Sequence, residues 1–433
     1  MESIFKRSLI SALVVATTIP GLAHATNGMF MIGYGAKSVA MGGAAIANPQ
    51  DSLAGAVNPA AVALTGNEFE IGSEFFKAEA TSVLAGLKQD SVASHSENFS
   101  FFIIPHIGYS KAYSPDVSFG FSFVGAGGGG SRYQRNLFNY ANNPNDPNVA
   151  KPVGISMDIA QMNPTVAFKF NDTNYIGATL ILSFQKFRAI GLDYFANFTS
   201  TGLNTTTLTD NGNDYAYGAG LRLGWLGKFM GNRLLLGAAG SSKVYMTRFD
   251  KYADLFAEQG KLDTPSVFGV GMSYKITPAL TTALDITYTM YEGVNAIGNT
   301  PPSTGGSIYS VNQATNALGK DAGLGFGWRN QTVFKLGLAY TLSNNMVLRT
   351  GWNYGKSPIP NDNGAPLFSI VAPATTQHHF TMGATYKTDP TTEWNFMYMH
   401  AFRYTESGPA YIGNTAEISM AQDSIGITYG FKY

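Results

Sequence analysis

A chain of 433 residues has the length for one large closed sheet or for two to three ordinary domains. Only 13% of it is charged, about half the usual share, against 49 glycines and 13% aromatics, and its formal net charge is +0. That balance, with no RNA- or DNA-binding motif, excludes a nucleic-acid partner. The lack of cysteine excludes a disulfide framework, a thiol nucleophile and a Cys-based metal site.

Residues 1–25 carry the three parts of an export signal. Lys6 and Arg7 form the basic end, Leu9 to Ile19 the apolar core, and Ala23-His24-Ala25 the cleavage site. The apolar core is too short to cross a bilayer. The mature chain is therefore expected to open at Thr26. Residues 26–67 then form a segment rich in small residues, without the strand alternation that fills the rest of the chain.

From Phe69 onward the period is two, as in half-buried strands. Val117, Phe119, Phe121 and Phe123 alternate with Ser118, Gly120 and Ser122; Leu280, Thr282, Leu284, Ile286 and Tyr288 alternate with Thr281, Ala283, Asp285 and Thr287. In a soluble sandwich the second face would be richly charged. Here it is mostly Gly, Ala, Ser and Thr, which suits an apolar band facing lipid and a lumen lined by small and polar residues.

The connections alternate too. Tight turns are read at Ser114-Pro115-Asp116, Asn171-Asp172-Thr173, Gly231-Asn232, Thr277-Pro278, Ser343-Asn344-Asn345 and Thr388-Asp389-Pro390, each built from turn-forming residues. Long loops are read near 81–94, 127–152, 189–214, 247–264, 292–330, 357–376 and 405–415. Six short turns and seven long loops join about fourteen strands, the pattern of a transmembrane antiparallel β-barrel. Its final strand, Ile425 to Tyr433, ends on an aromatic residue. The expected division is leader 1–25, hatch or plug 26–67 and barrel 68–433. About fourteen strands enclose a bore that needs filling, and 26–67 is the segment available to fill it.

The run GYGAKSVAMGGAAIA followed by Asn58-Pro59-Ala60 resembles the FadL/TodX (OMPP1) family of outer-membrane transporters for hydrophobic substrates. LFAEQGKLDTP at 255–265, GLGFGWRNQ at 323–331 and LRTGWNYGKSPIP at 348–360 extend the likeness over the mature chain. The resemblance implies a barrel of about fourteen strands with an N-terminal hatch in its lumen, sited in a Gram-negative outer membrane. It implies capture of long-chain fatty acids, or alternatively aromatic hydrocarbons, among the outer loops, then an inner site and sideways release at a kinked third strand. A general diffusion porin is the remoter alternative. No enzyme activity and no cofactor are expected. The expected partners are a hydrophobic small-molecule substrate, outer-membrane lipid and lipopolysaccharide, and the barrel assembly machinery, with the protein a monomer.

Several residues follow as candidates. Asn58, Pro59 and Ala60 shape the hatch. Met29 and Phe30, in the family's manner, reach up to the inner site. Strand parity sends Arg222, Lys243, Lys335 and Arg349 into the lumen, where a cation can hold a carboxylate or pair with Asp285, Glu70 or Glu74. Gly120 and Gly125 lie in strand three (about 116–126), where glycine permits a kink. A helix is expected over 250–259 with Tyr252, Leu255 and Phe256 on one face. Gly35-Ala36-Lys37-Ser38 lacks the order of a phosphate loop, and the histidines show no metal or nucleophile spacing.

Overall fold

The computed structural model describes residues 27–91, 102–200, 206–301, 315–412 and 414–433; the expected leader and Thr26 lie outside them. Among the described residues no helix is long and apolar enough to cross a membrane, and the crossing falls to strands.

Fourteen antiparallel strands close into a barrel. They are β1 (Glu68–Leu84), β2 (Phe102–Ala112), β3 (Val117–Tyr133), β4 (Val153–Lys169), β5 (Asn174–Ile190), β6 (Asp214–Phe229) and β7 (Leu234–Ser241). The ring continues with β8 (Val267–Lys275), β9 (Leu280–Thr289), β10 (Gln331–Ser343), β11 (Met346–Gly355), β12 (His378–Lys387), β13 (Thr392–Pro409) and β14 (Thr415–Lys432). Each strand pairs with its neighbour in sequence, and β1 pairs with β14 from Glu68–Lys432 to Leu84–Ala416. Closure gives every strand of the ring a partner on both sides, as lipid demands, since an unpaired backbone group there would cost several kcal/mol. The six tight turns fall where the turn residues predicted them.

Alternation sorts the wall. Phe119, Phe121, Leu284, Ile286, Leu336 and Leu338 face outward, while Ser118, Ser122 and Asp285 are buried on the inner face. Apolar residues are thus exposed on the outside because lipid, not water, is their solvent there. The outer loops fold over the mouth around an aromatic cluster. Phe187 packs edge-on against Tyr252 at 4.9 Å and Phe256 at 4.8 Å, and Phe138 against Phe195 at 4.7 Å.

Three readings change. The helix expected over 250–259 is a 3-10 turn at Asp250–Tyr252 and an irregular turn at Ala257–Gly260. Glu258 N and Gln259 N donate instead to Lys320 O and Gly319 O of the neighbouring loop. A short helix is marginal alone, and these tertiary bonds outcompete it. Strand three does not end at the glycine run; it continues through Gly127–Gly130 to Tyr133, paired with β4. Lys243 leaves the lumen face, as described below.

Candidate functional site

Residues 27–67 hydrogen-bond to inward-facing groups around the ring. Asp285 Oδ2 accepts from Ala45 N at 2.8 Å and Ile46 N at 2.9 Å. Asn353 Nδ2 donates to Gly42 O at 3.1 Å, and Thr381 Oγ1 accepts from Gly42 N at 3.0 Å. Thr179 Oγ1 donates to Gly55 O at 3.1 Å on the opposite side. Small residues allow this closeness: a Cβ at Gly351 would collide with Gly42 N.

The Asn-Pro-Ala box acts by the same logic. Asn58 caps the 3-10 helix Pro59–Leu64, its Oδ1 accepting from Ala60 N at 3.1 Å. Its Nδ2 donates to Ile46 O at 2.7 Å and Trp225 O at 3.0 Å, joining two parts of the segment to β6. Pro59 starts the helix, where its missing N–H costs nothing. Ala60 is fully buried beside β5, where a Cβ at Gly177 would lie 2.6 Å from Ala60 N.

The chain's first described residues divide the space above the segment. Gly28, at φ +64°, turns the chain so that Asn27 and Phe30 bond each other reciprocally. Tyr291 fastens this turn: its hydroxyl donates to Asn27 O at 2.7 Å and accepts from Met29 N at 3.1 Å. Burial pushes the Tyr291 phenol well up, so it remains a donor. Its ring meets Trp328 edge-on at 5.5 Å. Sequence reasoning missed Tyr291; its only signal was a tyrosine closing the β9 alternation.

On one side of the turn lies an upper cavity of about 60 Å³. Met29, Phe187, Phe256, Phe326 and Trp328 line it, with the glycines 128–130 of β3, and no charged side chain is among its described lining residues. On the other side lies a lower cavity of about 120 Å³, lined among others by Phe30, Tyr34, Gln161, Arg222 and Lys335. Met29 and Phe30 thus line different chambers.

The four cations part ways. Arg222 enters the lower cavity, and its Nη1 has no hydrogen-bond partner among the described residues. Lys335 also lines it, donating to Ile32 O at 2.9 Å. Arg349 faces inward but is engaged, donating to Gln50 Oε1 at 2.9 Å and Thr385 Oγ1 at 2.6 Å. Lys243 is displaced. Pairing runs Arg222–Ser241, then Ala219–Tyr245, so one extra residue enters after β7. This bulge hands the inner position to Val244, which is buried and lines the lower cavity. Lys243 instead donates to Gly293 O at 2.7 Å in an outer loop. Parity holds only while register holds.

Strand three has the expected kink. Its pairing with β4 shifts by one residue between Gly125 and Gly127, so Ala126 bulges. Pairing with β2 stops at His106–Val124, although β3 runs on to Tyr133. The N-terminal turn takes up part of that free edge: Gly128 N donates to Met29 O at 3.0 Å and Met31 N to Ala126 O at 3.3 Å. Gly125 stands beside the gap, with its Cβ position 2.5 Å from Ile104 Cγ2. Gly120 lies elsewhere, against Val62 of the inner segment at 3.1 Å.

A closed fourteen-stranded barrel with an apolar outer band, short turns and capping loops defines an outer-membrane β-barrel protein. The sequence profile of the outer membrane protein transport family (OMPP1/FadL/TodX) matches residues 13–408, and the chain belongs to that family. It is a family of outer-membrane transport channels for hydrophobic substrates, not of enzymes.

The fold is similar to that of the Pseudomonas putida toluene transporter TodX, at 18% identity and TM-score 0.67, covering 93% of this chain and 99% of that one. It is similar to the Ralstonia pickettii toluene transporter TbuX, at 16% identity and TM-score 0.65 over 93% and 99% of the two chains. A Pseudomonas aeruginosa FadL homologue matches at 14% identity and TM-score 0.65 with the same coverage. No curated protein matches the chain.

Proposed function

We propose that this protein admits small uncharged hydrophobic molecules, with monoaromatic hydrocarbons as the best chemical fit. The observation that carries this is the upper cavity: an aromatic and aliphatic lining with no charged side chain among the described lining residues. The sequence reading put long-chain fatty acids first. A carboxylate, however, needs a charge-assisted partner when it leaves water, and the upper cavity presents none. The cavity also suits a single ring better than an acyl chain. At about 60 Å³ it is smaller than the roughly 150 Å³ apolar cavity that holds benzene. Entry therefore requires displacement of flexible lining side chains, Met29, Met157 and Met420 among them.

In this reading residues 27–67 are a hatch that closes the bore, and Asn58, Pro59 and Ala60 fasten it. The substrate enters among Phe256, Phe326 and Trp328, rests against Met29, and leaves sideways where β3 parts from β2. The break in pairing beyond Val124 supports that exit. A carboxylate-bearing substrate is the second reading. It rests on Arg222, whose unbonded Nη1 reaches into the lower cavity.

Uptake into proteoliposomes separates the two readings. Saturable toluene uptake is expected, abolished by Trp328→Ala and unaffected by Arg222→Ala. Saturable oleate uptake that depends on Arg222, with no toluene uptake above empty liposomes, would overturn the first reading.

A further inference from the structure

The Gly35-Ala36-Lys37-Ser38 stretch carries a charge that neither cavity uses. Lys37 sits on the single helical turn Ala36–Val39 of the inner segment and is 3% exposed. Its ammonium lies 2.5 Å from Glu393 Oε1, 3.3 Å from Glu68 Oε1 and 3.7 Å from Glu70 Oε2, and donates to Gln50 O at 3.1 Å. All three carboxylates are buried, Glu68 and Glu70 on β1 and Glu393 on β13.

The wall is shaped to bring these groups together. Strand β14 runs between β1 and β13, and there it carries Gly430, paired with Glu70 on one side and Glu393 on the other. A Cβ at Gly430 would stand 3.3 Å from Glu393 Cγ and 3.5 Å from Glu68 Oε1, in the space where the carboxylates converge. Asp51 and Arg349 complete the surroundings, with Lys432 at the rim. Burial opposes the Lys37 charge, but Glu70, Asp51, Glu68 and Glu393 outweigh it and hold the ammonium above its ordinary value.

A buried charge without a partner is strongly unfavourable, so Lys37 cannot leave the cluster without stranding its carboxylates. Buried ion pairs of this kind set position more than they add stability. This one lies at the tight-turn rim, where β13, β14 and β1 complete the closure. In outer-membrane barrels that rim faces the periplasm.

We propose that Lys37 is a positioning residue that pins the inner segment to β1 and β13 at the periplasmic mouth and so keeps the space beside that segment closed to ions and water. This goes beyond the substrate reading and needs no hydrophobic ligand for its test, so the two fail independently.

The test is single-channel conductance of the full-length protein in planar lipid bilayers, in KCl alone, with heat-modifiable gel migration as the check on barrel folding. Lys37→Met is expected to raise conductance severalfold. Lys37→Arg is expected to remain near wild type, and Lys37→Met combined with Glu393→Gln to return toward it, because one positive and one negative charge are then removed together. Wild-type conductance in a folded Lys37→Met barrel overturns the proposal. So does a leak that neither Lys37→Arg nor the charge-balanced variant reduces, since packing alone would then be responsible. If Lys37→Met yields no folded barrel, Glu393→Gln carries the test: raised conductance supports the latch and unchanged conductance overturns it.

Discussion

Tyr291 shows how one side chain can hold a partition. It is fully buried, and its hydroxyl is bonded to the backbone on both sides of Gly28. Phenylalanine would keep the ring against Trp328 but leave Asn27 O and Met29 N without that partner. Removing one partner of a buried hydrogen bond costs about 1–3 kcal/mol. Tyr291→Phe is therefore expected to speed amide hydrogen exchange at Met29 by one to two orders of magnitude, on the order of exp(ΔΔG/RT), with β-strand protection unchanged. Unaltered exchange at Met29 would show that the turn is held by its strand-three contacts instead. Nothing in the local sequence marks this role. A tyrosine at the end of an alternating strand reads as an interfacial aromatic, and its two acceptor and donor partners are more than 260 positions away, as the 262 and 264 residue separations show.

Strand three joins the partition to the wall. Its bulge at Ala126 and the loss of β2 pairing beyond Val124 leave a free edge, which Met29 and Met31 occupy in part. Gly125→Val is expected to crowd Ile104 in the gap and slow sideways release, lowering toluene uptake while the barrel still assembles. Gly120→Val meets Val62 of the inner segment instead and is expected to loosen that segment without narrowing the gap. Equal uptake in wild type and Gly125→Val would argue against an exit at this strand. The kink itself was legible, because glycine inside an alternating run signals a bulge. Its extent was not: Gly127–Gly130 looks like a loop until β4 is found paired along it. Lys243 makes the converse point. Period-two counting is sound within a strand, but a single inserted residue reverses it, and that insertion is visible only in the pairing of β6 with the residues after β7.

At the scale of the whole molecule, a wall that satisfies its own hydrogen bonds can fold without its filling. Deleting Asn27–Phe30 removes the partition between the chambers but none of the fourteen strands. The deletion is expected to leave a heat-modifiable barrel with reduced hydrophobic uptake; undiminished uptake from a folded barrel would remove this segment from the transport path.

The amino-acid sequence alone determined the strand alternation, the six tight turns and the closed barrel. Each follows from local rules: side chains alternate every residue, turn residues act over three or four positions, and lipid forbids open edges. The Asn-Pro-Ala box was legible only as a motif of the family's hatch; its work as a cap and helix start came with the structure. The tertiary structure decided which lumen cations are engaged, that Tyr291 clamps the N-terminal turn, and that Lys37 meets carboxylates from two strands. Those outcomes depend on bulges and on groups brought together across the bore, and no local rule reaches that far.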